Sequence, residues 1–576
     1  MWFEERSWSN LRMSELVEEW RDLWSFKLDY WIIKWIFLIA AISYVFATTN
    51  FLNFPKLTLE NGGLAFVAAY GVALLVLVLP TIVLELAVGQ LTGRAPVQGF
   101  YNLSPVFKGI GISQILFTLI VLATMTRFIG WLMLFLYYLF WTIQADRPGL
   151  PWLNCKYFPE FLSAPCRDAG SMANFTLAAH TKLSTVRSES SFMQFMSTLE
   201  KPSASIIDFG DFQYNLLIVQ GLVWIIVFSG ICFGVRWLGK VVPLLFMAAF
   251  SMLLALLIRA CTMDGLMAIF NVYLNATDWN KLADYKLWKV ACEQAILASG
   301  IGYGAFITMG SYNRRSNNLV ASVLLLFFRY NFFYFRSKVG RRDSICVVTS
   351  HIVLTLMQFV TVVGLVGFIV SRTGLAPSDI MDKGEAQMWH ILTYFSYLPN
   401  MKLRATATVV VKCLLSLSVL SALEDALGDR WSRCFFRFVL AFFICSVTFA
   451  ISLYFATQAG RHAYELVTGF LKYVTVFVIL TFELFATAWF YCAHRLGMDL
   501  HVMLRNACCW CFGHFILLFT YLLPVIPARL RSVFASHIRG DHRKKSSTKP
   551  PPRYTGTAPG YLLLPQAPLA EPETYA

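Results

Sequence analysis

Charge is what this 576-residue chain has least of: only 14% of its residues are Asp, Glu, Lys or Arg. A soluble domain carries about 25%. That scarcity excludes a water-facing surface over most of the chain. No histidine is spaced with the cysteine trio Cys508, Cys509 and Cys511 as a zinc site needs. No nucleophile–base pair or phosphate-cradling loop stands out, which argues against an enzyme. A cleavable leader is missing too. Residues 1–27 are charged and Trp-rich, and the first apolar run starts at Trp31. The N-terminus is therefore expected in the cytoplasm.

Apolar residues fill the gap. They make up 57% of the chain, and aromatics 16%, with 50 Phe. Such a composition suits lipid-facing spans and not a soluble surface. The net charge of +15 could point to nucleic acid. Its distribution argues otherwise: Lys and Arg lie in short clusters between apolar runs and in the tail (Arg539, Arg543, Lys544, Lys545, Lys549, Arg553). Cytoplasmic loops look like this under the positive-inside rule. Membrane lipid, and no nucleic acid, is the expected surrounding.

Spanning a bilayer takes roughly 20 apolar residues. Runs of that kind fall near 31–54, 64–88, 112–141, 214–235, 241–260, 288–312, 345–370, 404–423, 434–456, 470–492 and 508–527. Backbone groups in lipid must bond within their own segment, so these runs are expected as helices. The expectation is an all-α polytopic bundle: a cytoplasmic segment 1–30, a membrane domain 31–527 with an outer loop 142–213, and a basic, Pro-rich tail 528–576 read as disordered.

Charge tests the topology. Counting from an inner start, loops after even-numbered spans carry Arg94 and Lys108, Arg236 and Lys240, Arg314 and Arg315, Arg430 and Arg433, then Arg495 and Arg505. Each is basic, as an inner loop should be. The sequons at Asn174 and Asn275 fall on the outer side, and the one at Asn102 on the inner side. Cys155 and Cys166 share the polar outer loop, where an oxidising compartment suits a disulfide. The Cys508–Cys511 group reads as palmitoylation sites or as small buried apolar residues. Eleven spans from an inner start place the tail outside, whereas its charge places it inside. Residues 324–340 interrupt the pattern.

Six motifs in order resemble those of the neurotransmitter:sodium symporters (solute carrier family 6). Thr49-Asn50-Phe51-Leu52-Asn53-Phe54-Pro55 with Asn61-Gly62-Gly63-Leu64-Ala65-Phe66 is similar to G-N-x-W-R-F-P and N-G-G-G-A-F. Pro80, Glu85, Gly89 and Gln90 follow P-x-x-x-x-E-x-x-x-G-Q. Leu150-Pro151-Trp152-Leu153-Asn154-Cys155 resembles L-P-W-x-x-C. Trp288, Ala291 and Gln294 lead into Gly300-Ile301-Gly302-Tyr303-Gly304 and Ser311-Tyr312-Asn313. Glu483 and Trp489-Phe490-Tyr491 complete the set. The resemblance runs from about Arg21 to Met503.

The resemblance implies two inverted five-helix repeats with broken first and sixth spans, and a substrate site between them. Gly300, Gly302 and Gly304 alone read either as close packing or as a weakened helix; motif order favours the break. Implied substrate residues are Ala47, Thr48, Thr49, Phe128, Ser299, Gly300, Gly302 and Tyr303. Sodium, the implied coupling ion, maps to Val45, Asn50, Ala298 and Ser418. Chloride stays open, as do protein partners. An inner gate maps to Arg21, Asp429 and Tyr312.

Departures cluster at these positions. Ala47 stands where amine carriers have Asp, which disfavours a monoamine substrate. Asn53 replaces the outer-gate Arg. Phe128 replaces a Tyr, beside Arg127 inside the span, where a charge is a functional-site hypothesis or an interior pairing. Ala298 replaces a hydroxyl residue, and Leu417 an Asp or Thr. His351 falls on a sodium-ligating Asn, although a hard cation prefers oxygen. The resemblance implies sodium-coupled transport of a small amino acid or related osmolyte across the plasma membrane. A transport-inactive member that binds or signals is the alternative.

Overall fold

The computed structural model describes residues 34–45, 49–144, 166–167, 189–190, 195, 199, 201, 203, 205–231, 235–263, 265–312, 343–373, 434–470, 474–492, 494–496, 498–499 and 524–526. The expected spans 404–423 and 508–527, the stretch 324–340 and the tail fall outside these residues or almost wholly so.

The first span is described as helix over α1 (Lys34–Val45) and α2 (Thr49–Glu60), with residues 46–48 outside the described residues. The second is α3 (Leu64–Thr92), which widens into one π turn at Leu74–Val78. A short helix α4 (Pro96–Leu103) precedes α5 (Lys108–Gln144), the third span. Then come α6 (Tyr214–Ile231), α7 (Val235–Cys261) and α8 (Leu266–Asn275). The sixth span is split into α9 (Tyr285–Ser299) and α10 (Ala305–Ser311). Next are α11 (Asp343–Thr373), α12 (Cys434–Ser452), α13 (Gly460–Phe470) and α14 (Val476–Leu484), which ends in a π turn at Phe485–Phe490.

Among the described residues the regular structure is helical, apart from Cys166–Arg167 paired in parallel with Glu189–Ser190 and a single antiparallel bridge between Phe212 and Thr457. Among the described residues, four helices are long and apolar enough to cross a membrane: Leu64–Thr92, Pro105–Thr142, Val242–Cys261 and Val347–Phe368. Ile218 and Ile225 on α6, Leu244 and Met247 on α7, and Phe442 and Phe443 on α12 are exposed. In water such a belt would aggregate; in a bilayer it faces hydrocarbon. The chain is an integral, multi-pass membrane protein.

Three helices, α4, α8 and α13, occupy stretches expected as connections. Each is too short to span, and polar residues interrupt each run, so neither length nor hydropathy marks it. Asn275, the last residue of α8, is exposed.

The centre of the bundle is aromatic. Phe37, Phe54, Phe66, Phe135 and Phe306 are buried, and so is Tyr273, whose hydroxyl donates to the Pro55 carbonyl at 3.1 Å. Between α3 and α10 the backbones themselves meet. A Cβ at Gly89 would overlap the Ile307 carbonyl, and one at Gly310 the Leu86 carbonyl. Only hydrogen at both positions permits that approach.

Candidate functional site

The break in the sixth span follows from three glycines. Gly300, Gly302 and Gly304 have φ of +68°, +83° and +77°. An L side chain costs about 1–2 kcal/mol in that left-handed region, so a run of three needs glycine. The chain leaves the helix at Ser299 and re-enters it at Ala305. The Gly300 and Tyr303 carbonyls and the Gly302 N–H between them lie outside both helices and need partners other than helical backbone.

Side chains from the first three spans serve them instead. Tyr44 on α1 donates its hydroxyl to the Gly300 carbonyl at 2.8 Å. Glu85 on α3 accepts the Gly302 N–H at Oε1, 2.7 Å away. Thr118 on α5 shares its hydroxyl proton between the Tyr303 carbonyl at 3.2 Å and the Gln114 carbonyl of its own helix at 2.8 Å. The Tyr44 ring also meets Phe306 edge-on at 5.2 Å, and Phe117 stands 4.8 Å from the Tyr303 ring.

A second polar layer lies behind. Gln114 donates Nε2 to Glu483 Oε2 at 2.9 Å, joining α5 to α14. Glu85 and Glu483 are 1% and 2% exposed. Glu85 Oε2 and Gln114 Oε1 have no hydrogen-bond partner among the described residues. Next to the end of α1, His351 on α11 sets Nδ1 3.2 Å from the Val45 carbonyl and Nε2 2.9 Å from the Tyr70 hydroxyl.

The structure brings Gly300, Gly302 and Tyr303 together in the break, and Val45 follows Tyr44 on α1. Ser299 is fully buried, but its hydroxyl donates back to the Ile296 carbonyl at 3.0 Å. Ala298 is buried and offers no oxygen side chain. Phe128 is buried ten residues past Thr118, about 15 Å along α5. Neighbouring Arg127 is also buried and donates Nη1 to the Phe455 carbonyl, an interior pairing with backbone. Tyr312, just after α10, is buried. Thr49 and Asn50 begin α2, their side chains outside the described residues, as is that of Cys166 in the first strand. Ala47, Thr48, Arg21, Ser418, Asp429, Cys155 and Asn174 lie outside altogether. Tyr44, Thr118 and Gln114 were not anticipated. A polar residue within an apolar run was the available signal.

A broken helix braced by polar side chains from neighbouring spans is a transporter arrangement. Residues 28–540 match the sodium:neurotransmitter symporter family. The chain belongs to that family.

It is a family of transporters and not of enzymes. The chain is 22% identical over 499 residues to the sodium- and chloride-dependent GABA transporter ine of Drosophila melanogaster, covering 83% of this chain and 48% of that protein. It is 25% identical to the sodium-dependent dopamine transporter of Bos taurus, over 84% of this chain and 65% of that one. It is also 25% identical to the sodium- and chloride-dependent taurine transporter of Canis lupus familiaris, over 83% and 72%. The match thus spans about half the length of the first relative and just under two thirds of the second.

Proposed function

We propose that this chain carries a small amino acid or related osmolyte across the plasma membrane, coupled to sodium. The carrying observation is the break at 300–304, held by Tyr44, Glu85 and Thr118. It sets peptide dipoles, freed from any helix, inside an apolar bundle, which is what a polar substrate needs at membrane depth. The substrate site is assigned to Ala47, Thr48, Thr49, Phe128, Ser299, Gly300, Gly302 and Tyr303. Ala47 supplies no carboxylate, so a substrate ammonium has to be balanced by an acid group of the substrate itself. That favours the substrate class named for the taurine relative, or for a nutrient amino acid transporter of Drosophila virilis (25% identical), over that of the dopamine relative.

Sodium is assigned to Asn50, Ser418 and backbone carbonyls, those of Val45 and Ala298 among them. Two inverted repeats of five spans within 31–527 form the machine. Arg21 and Asp429 latch its inner side, with Tyr312 beside them. A Cys155–Cys166 disulfide and glycans on Asn174 and Asn275 belong to its outer face. Coupling is a difference in affinity: ion and substrate bind the outward state more tightly and are released from the inward one.

The test is uptake of radiolabelled taurine and small neutral amino acids into cells, in sodium against choline medium. Asn50→Asp serves as the site variant. Sodium-dependent uptake that this variant alters supports the reading. Normal surface expression without uptake of any of them favours the alternative, a family member that binds or signals without transporting.

A further inference from the structure

The first two spans are joined by a tight turn. Gly62 and Gly63 have φ of +96° and +62°, and α3 begins at Leu64. The first N–H groups of a helix need partners from outside it. Leu64 finds one 213 residues away, where its N–H donates to the Thr277 hydroxyl at 3.1 Å. Thr277 in turn donates that hydroxyl to the Tyr273 carbonyl at 2.8 Å. Asp278 gives its N–H to the Gly62 carbonyl at 3.3 Å. Tyr273, which is buried, donates its own hydroxyl to the Pro55 carbonyl of α2 at 3.1 Å. The fit is close: a Cβ at Gly63 would stand 2.5 Å from Thr277 Oγ1 and 2.7 Å from the Tyr273 carbonyl. Residues 273–278 thus clasp the turn between α2 and α3.

Those residues also contain the sequon Asn275-Ala276-Thr277. An N-glycan goes onto an Asn only where a hydroxyl follows two residues on, and such sites are read in surface loops. Once folded, this one is not a loop. Ala276 N–H bonds to the Val272 carbonyl at 2.9 Å and Thr277 N–H to the Leu274 carbonyl at 3.0 Å, which carries the last turn of α8 through the sequon. The Thr277 hydroxyl gives its proton to Tyr273 and accepts from Leu64. Asn275 itself is exposed. Folding therefore hides the hydroxyl that glycan transfer needs and leaves room for a glycan already attached.

We propose that closure of this clasp competes with glycosylation of Asn275. The glycan is transferred while residues 273–278 are still open, and docking of Thr277 on Leu64 ends the opportunity. Chain order makes this a race. Residues 54–64 are synthesised before the sequon, so the docking partner is already in place when Thr277 emerges. Wild-type chains divide into a modified and an unmodified population that reach the same fold. This competition presupposes the outer placement of Asn275 proposed above.

The ratio of two gel bands tests it, in the full-length chain expressed in cells with Asn174→Gln so that one outer sequon remains. Removal of N-glycans by an endoglycosidase identifies the upper band as the modified chain. Wild type shows both bands. Tyr273→Phe removes the bond to Pro55, and Gly63→Ala drives a methyl group into Thr277. Each keeps the sequon and slows the clasp, so the upper band gains at the expense of the lower. Gly310→Ala strains α3 against α10 at the Leu86 carbonyl, far along the helix from Leu64, and leaves the ratio unchanged. An equal gain in Gly310→Ala assigns the effect to general misfolding and overturns the proposal. A wild type wholly in the upper band, or one ratio in all four chains, overturns it as well, while the glycan assignment stands. A single lower band in every chain removes both.

Discussion

Replacing Tyr44 by Phe removes one hydroxyl from the break and keeps the edge-on contact with Phe306. The Gly300 carbonyl, which is half-buried, then loses its donor. An unsatisfied buried acceptor costs about 1–3 kcal/mol. Hydrogen bonds between helices in membranes average nearer 0.6 kcal/mol, because released groups find other partners. The left-handed φ of +68° at Gly300 leaves its carbonyl little chance of rejoining a helix. We expect about 1–2 kcal/mol, read as a lower melting temperature. If all of that fell on the bound state, substrate affinity would drop about 5–30-fold. Thr118→Val removes the matching bond to Tyr303, three residues on. Both variants loosen one segment, so a double-mutant cycle on melting should show a coupling of at least about 0.5 kcal/mol. An unchanged melting temperature in Tyr44→Phe, with strict additivity in the pair, would refute the view that these side chains hold the break.

Gly310→Ala drives a methyl group into the Leu86 carbonyl, and overpacking of that kind costs about 1–3 kcal/mol; surface biotinylation should show reduced delivery. Gly71→Ala, with nothing within 4 Å of the new Cβ, should leave delivery unchanged, and equal loss in both would sink the close-contact account. Gln114→Leu strips Glu483 of a donor to its Oε2, and a buried acceptor left unsatisfied costs about 1–3 kcal/mol, so melting should fall; an unchanged melting temperature would sink the link between α5 and α14. Asn275→Gln should speed migration on a gel by one glycan, and Asn102→Gln should not.

The spans were legible because a bilayer imposes length and apolarity directly on sequence. Nine expected runs coincide with described helices to within a few residues, most of which extend past the apolar stretch on polar ends. The sixth-span break was legible through its glycines, since a left-handed backbone restricts residue type. Its supports were not. Tyr44 and Gly300 lie 256 residues apart, Thr118 and Tyr303 185, Gln114 and Glu483 369. No local rule links positions so distant; the fold brings them together. His351 was visible as an odd residue for a cation site. That its Nδ1 would cap the Val45 carbonyl depends on the crossing of α11 with α1, which sequence does not print. Arg127 similarly resolved into a backbone pairing once Phe455 came beside it.

The π turn in the second span bears on how the sixth can move. α9 lies against Leu64–Ala73 and α10 against Leu79–Thr92, so the two halves grip one helix on either side of Leu74–Val78. A change of angle between α9 and α10 cannot be confined to residues 300–304. It has to bend α3 at its one wide turn, or shear a backbone contact where Gly89 and Gly310 leave no slack. The second span is thus a bracket with its own elbow, and the mechanical compliance of the site is shared between two helices.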